Sequence, residues 1–147
     1  MKAHKIILFA LLMCIGASAQ RRLSPEMITR MNNKKWEFIV QKVKLTEQEA
    51  QQVRPIFDTQ EIGLLNLYTK EREKRMKIAK GEPTEKDYAT LNEYGISMER
   101  KKLKLLENAH QQLSQILSAK KLFLYNQANR EFRRQLFDKH KKQAPKQ

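Results

Sequence analysis

The stretch KLTEQEAQQVRPIF, residues 44–57, decides how this chain folds. Thr46, followed three places later by Glu49, has the form of a capping box. In that motif the hydroxyl accepts from the third backbone N–H, and the carboxylate accepts from the cap's own N–H. A helix therefore starts here. Ala50, Val53, Phe57, Leu64, Leu67 and Tyr68 follow at three- and four-residue steps, giving a single apolar stripe. Pro55 falls inside that stripe. There it removes one backbone hydrogen bond and crowds the preceding turn, at a cost of about 3 kcal/mol. Because the apolar steps continue past it, the pattern predicts one long helix bent at Pro55, not a helix broken at 52–54.

Upstream, Ser24-Pro25 is a good start for a first helix, since serine caps and proline fits the first helical position. Met27, Ile28, Met31, Trp36, Phe38, Ile39, Val40 and Val43 supply its apolar side, and it should end near Lys44. Downstream, the second stripe fades into EREKRMKIAK, residues 71–80, and Gly81-Glu82-Pro83 stops the helix. Thr84 caps a third helix with Asp87 three places on. Tyr88, Leu91, Gly95, Met98, Leu105 and Ala109 form its near-heptad seam, Lys102 takes one seam position, and Leu113 and Ile116 follow in a shifted phase. Leu117-Ser118 opens a fourth helix carrying Leu122, Tyr125, Phe132 and Leu136.

Nothing alternates with period two, so the expected fold is all-α, with four helices. The second and third would be about 45 Å long at 1.5 Å per residue, joined by a short turn as an antiparallel hairpin. Narrow stripes on so long a hairpin cannot make a thick core. It must recruit the flanking helices or a second subunit, so a cradle-shaped antiparallel homodimer is expected.

The chain begins MKAHK and continues with the apolar run Ile6–Ala19, ending Ala17-Ser18-Ala19. A positive start, a short apolar run and small residues before the cut describe an export signal, and the run is too short for a comfortable membrane anchor. Residues 1–19 are read as a signal peptide cleaved after Ala19, residues 20–140 as the helical domain, and residues 141–147 as a disordered basic tail. Cys14 lies inside the signal, so the exported protein has no thiol and no disulfide. The expected location is the periplasm.

The formal net charge of +14 falls by the two lysines of the signal, Lys2 and Lys5, to +12. Such a surplus draws acidic partners over a salt-dependent range. Export argues against nucleic acid. Unfolded or acidic proteins remain, and an anionic membrane surface is compatible but not required.

No metalloprotease, phosphate-loop, serine-hydrolase or cysteine–histidine motif is present, and His110 and His140 stand far apart. The expectation is a non-enzyme with no cofactor. Met27 and Met31 share a helical face, but two thioethers are ordinary packing more often than a copper site, so no metal is expected. The basic residues cluster instead. Arg72, Lys74, Arg75 and Lys77 surround Met76, while Arg100, Lys101 and Lys104 follow Met98, and Arg130, Arg133 and Arg134 come later. Cations interleaved with flexible apolar side chains suit the capture of a partly unfolded chain, so the first two groups, with Met76 and Met98, are the candidate partner-binding residues.

Leu45-Thr46 and Leu117-Ser118, each opening a helix, resemble the repeated Leu-Thr-x-x-Gln of the Spy/CpxP-like periplasmic proteins, with KWEFIVQKVKLTEQEAQQVRPIF and ILSAKKLFLYNQANREFRRQLF closest to Bacteroidetes-type members. The copies here read LTEQE and LSAKK, so the glutamine positions hold Glu49 and Lys121. The resemblance implies a four-helix, cradle-shaped dimer with ATP-independent chaperone or envelope-stress activity. A holdase-type chaperone is the first functional expectation. The alternative is a regulatory adaptor binding a sensor or anti-sigma protein of the envelope.

Overall fold

The computed structural model describes residues 24–143, which form four α-helices and, among the described residues, no strand. They are α1 (Pro25–Val43), α2 (Glu47–Ala79), α3 (Glu85–Ser114) and α4 (Ala119–Gln143). The expected signal, residues 1–19, and residues 144–147 of the expected tail lie outside the described residues. None of the described helices is long and apolar enough to cross a membrane.

Each helix starts where the sequence places a cap. Ser24 Oγ accepts from Met27 N at 3.2 Å, and Ser118 Oγ accepts from Lys121 N at 3.3 Å. Thr46 and Glu49 form a complete capping box, with Glu49 N donating to Thr46 Oγ1 at 3.2 Å and Thr46 N to Glu49 Oε2 at 2.8 Å. Thr84 and Asp87 repeat the device at the start of α3. The end of α1 is less expected. Lys44 adopts the left-handed conformation, φ 54°, and Leu45 N donates back to Val40 O at 3.2 Å. This is a helix stop normally built on glycine, closed by an apolar residue just beyond the turn. Leu45 is that residue, and it packs against the core.

α2 runs unbroken through Pro55. Val53 and Phe57 on either side are fully buried. Burying two such side chains stabilises by about 3–6 kcal/mol, which matches or exceeds the proline penalty of about 3 kcal/mol. Pro55 and Gln51, whose carbonyl loses its helical donor to the proline, are both exposed residues.

α2 and α3 pack along each other as the antiparallel hairpin, and α1 packs along α4. The core sits where the C-terminal half of α1, the start of α2, the end of α3 and the start of α4 converge. It holds Ile39 and Val43, Val53 and Phe57, Leu113 and Leu117, and Leu122, Tyr125 and Ala128. Trp36 lies on Phe57 with ring centroids 5.3 Å apart, and Phe38 on Phe132 at 5.7 Å. Beyond this core the hairpin continues as a two-helix arm. Residues 62–79 of α2 alone extend it by about 27 Å. Within the arm, among the described residues, Met98 is the one buried large apolar side chain.

Candidate functional site

Among the described residues the two-helix arm has no third layer to bury apolar residues against, and beside the buried Met98 its seam carries cations lying on aromatic rings. Lys102 Nζ sits 4.8 Å from the centroid of Tyr68, 2.7 Å from Glu99 Oε1 and 3.8 Å from Glu71 Oε2. The hydrogen bond from its ammonium to Glu99 holds its proton more tightly than in free lysine. Lys74 Nζ lies 4.2 Å from the ring of Tyr94. These lysines bury their stems in the seam and keep their charged heads near water. At Gly63 the helices lie close: a Cβ there would stand 3.0 Å from both Leu105 methyl carbons.

The residues singled out for partner binding separate accordingly. Met98 is 1 % exposed and belongs to the seam, so it offers no surface to a partner. Lys74 is occupied by Tyr94, Arg75 pairs with Glu71 at 2.9 Å, and Met76 is half-buried. Arg72, Lys77, Arg100, Lys101 and Lys104 are exposed and form no ion pair among the described residues. Arg72 and Lys77 are five apart, about 140° around α2, and do not share a face. Arg100, Lys101 and Lys104 fall on one side of α3.

Beside Arg100 and Lys104, and away from Lys101, runs an apolar stripe. Ile96 (56 % exposed), Leu103 (56 %) and Leu106 (44 %) recur at seven- and three-residue steps along α3. The stripe leads into an open cleft of about 900 Å³ between the root of the arm and α4. Phe123 of α4, 61 % exposed, lines its far wall, together with Arg130 and Arg133.

The cleft floor contains a buried ion pair, Lys35 of α1 with Glu61 of α2 at 2.6 Å. Burial holds the Lys35 ammonium below the usual lysine range, against the pull of Glu61, and the nearby Arg133 pushes the same way as burial. Tyr125 also lines the cleft, but its hydroxyl, like the Oε1 of Gln60, is buried, and neither atom has a close hydrogen-bond partner among the described residues. Burial pushes the Tyr125 hydroxyl far above the usual phenol range, so it stays a neutral donor. Lys35 was legible in the sequence as an interruption of the α1 stripe, four places before Ile39. Glu61 is the matching interruption of the α2 stripe, four places after Phe57. The cleft itself was not legible, because it depends on how far α4 stands from the arm.

The two Leu-hydroxyl repeats meet in space. Leu117 is in the core and Leu45 packs against it, while Thr46 and Ser118 cap neighbouring helices. Glu49 and Lys121, which hold the glutamine positions, form an ion pair with each other. The bond from Lys121, followed by that from Thr46 N, holds the Glu49 carboxyl below its usual range. The two positions thus tie the start of α2 to the start of α4.

No family model, curated protein or solved structure matches this chain.

Proposed function

We propose that the protein is a periplasmic, ATP-independent holdase that catches unfolded or partly folded polypeptides on the α3 stripe and the cations beside it. The observation that carries this reading is the stripe: Ile96, Leu103 and Leu106 face solvent in a row, with Arg100 at its edge and Lys104 beyond it. Each of these apolar residues is about half exposed, so covering all three is worth about 3 kcal/mol. That corresponds to millimolar affinity or weaker. Contact this weak suits a binder that releases its clients without ATP. The positive surplus raises the rate at which acidic or partly unfolded chains arrive. One tight regulatory partner would need a larger continuous patch, which favours many weak clients over a single adaptor target.

Light scattering of a chemically denatured client, diluted into buffer without ATP, tests this. Aggregation should fall with increasing protein-to-client ratio, and the effect should weaken as salt rises from about 50 to about 500 mM, where charge screening is strong. No suppression at any ratio would remove the reading.

A further inference from the structure

The cleft between the arm and α4 differs from the stripe that leads to it, because it has walls, a polar floor and a charged rim. Its apolar lining comes from Leu64 of α2, Leu106 of α3 and Phe123 of α4. Lys35 and Glu61 neutralise each other within the floor. That leaves Lys104, Arg130 and Arg133 against Glu107 among the charged lining residues, and none of the four forms an ion pair among the described residues. The cleft therefore carries an uncompensated positive charge over an apolar interior. Its α3 wall runs from Lys104 to Leu113, about 15 Å at 1.5 Å per residue. A strand rises about 3.3 Å per residue, so that length holds four or five extended residues. Lys104 stands on the α3 wall and Arg130 and Arg133 on the α4 wall, so a segment with several carboxylates answers them where a single anionic head group does not.

We propose that this cleft binds an extended polypeptide segment of four or five residues in which apolar side chains alternate with acidic ones. Alternation places the apolar set on one side of the segment and the carboxylates on the other. Apolar side chains then enter between Leu106 and Phe123, and carboxylates meet Lys104, Arg130 and Arg133. The proposal rests on the capture of polypeptides argued above and names the segment that is captured.

The test is fluorescence anisotropy of a fluorescein-labelled peptide, Asp-Leu-Asp-Phe-Asp-Leu, against its lysine counterpart, Lys-Leu-Lys-Phe-Lys-Leu, titrated with the exported chain at low salt. The acidic peptide should bind at least tenfold more tightly. Phe123→Ser combined with Leu106→Ser should weaken it tenfold. Both positions are already about half exposed, so the helical circular dichroism should be unchanged. Arg130→Glu with Arg133→Glu, also at exposed positions, should reverse the preference toward the lysine peptide. Equal binding of the two peptides, or no effect of either pair of substitutions, overturns the proposal. So does binding of dodecyl phosphate when neither peptide binds, which identifies an alkyl-anion site. The same samples separate the two readings. Suppression of client aggregation without a peptide preference removes the cleft and keeps the holdase. A peptide preference without suppression does the reverse.

Discussion

Replacing Glu61 by glutamine should destabilise the protein more than any surface substitution, and the reason lies with Lys35. The two side chains are 9 % and 15 % exposed, and they meet at 2.6 Å. Glu61→Gln keeps the shape and one hydrogen-bond acceptor but leaves the Lys35 ammonium buried without its counter-charge. Breaking a buried pair in this way costs about 3–5 kcal/mol. Both groups line an open cleft, so water reaches the orphaned ammonium in part, and the lower end of that range applies: about 3 kcal/mol. A domain of this size has 5–15 kcal/mol in all, roughly, so the loss is a large share of it. It should appear as a fall in melting temperature of about 10–15 °C. Urea unfolding followed through Trp36, which rests on buried Phe57, reads the change directly.

The pair need not stabilise the fold for its breakage to hurt. Burial already outweighs the attraction of Glu61, since the Lys35 ammonium is held below its ordinary 10.5. Lys35→Met with Glu61→Leu should therefore lie within about 1 kcal/mol of the natural protein, on either side. The pH dependence has a definite sign. Unfolded Lys35 keeps its proton up to about 10.5, while the folded form gives it up sooner, so between those values the unfolded chain binds more protons. Stability from this group rises with pH across that window and is depressed below it. Glu61→Gln should widen the window downward, and the Lys35→Met variant should lack the rise. A Glu61→Gln midpoint unchanged to within about 0.5 kcal/mol at pH 7 would refute the buried-pair reasoning. An apolar double variant as unstable as Glu61→Gln would refute the claim that the pair itself adds little.

Other outcomes follow from single positions. Gly95 lies inside α3 with nothing within 4 Å of a Cβ, so Gly95→Ala should stabilise by about 1 kcal/mol through helix propensity, raising the melting temperature by about 3–5 °C. Gly63→Ala should gain much less, because Leu105 must first give way. Lys44→Gly should stabilise by about 0.5–1 kcal/mol in urea, since the left-handed conformation at the end of α1 is strained for lysine. Glu49 has a folded pKa below its usual 4.5, so its contribution is present above that value and is lost as pH falls through the folded one. Lys121→Met should reduce this acid sensitivity by under about 1 kcal/mol between pH 6 and 3, because both groups of the pair are about a quarter exposed.

The limits of the four helices were legible because each is written locally. Ser24, Thr46, Thr84 and Ser118 sit at their starts, and Gly81-Glu82-Pro83 follows the end of α2. Local writing does not say which face of a long amphipathic rod stays bare. Met98 and Leu103 lie five residues apart in the same basic stretch, yet one closes the seam and the other faces water. The difference is their rotation about α3, fixed by where α2 lies.

What the sequence did carry, in a form easily misread, was charge inside apolar periodicity. Lys35 and Glu61 interrupt the stripes of α1 and α2, and Lys102 interrupts the seam of α3. A charge at such a position looks like a flaw in a single helix. In the fold each is answered by another helix: Lys35 by Glu61, Lys102 by Tyr68 and Glu71, and the Glu49 of one repeat by the Lys121 of the other. An oppositely charged pair occupying apolar phases of two stripes is thus a statement about which helices touch. Lys104, Arg130 and Arg133 have no such answer among the described residues, and they gather on one cleft. By the same logic, the acidic segment proposed for the cleft would supply their counter-charges.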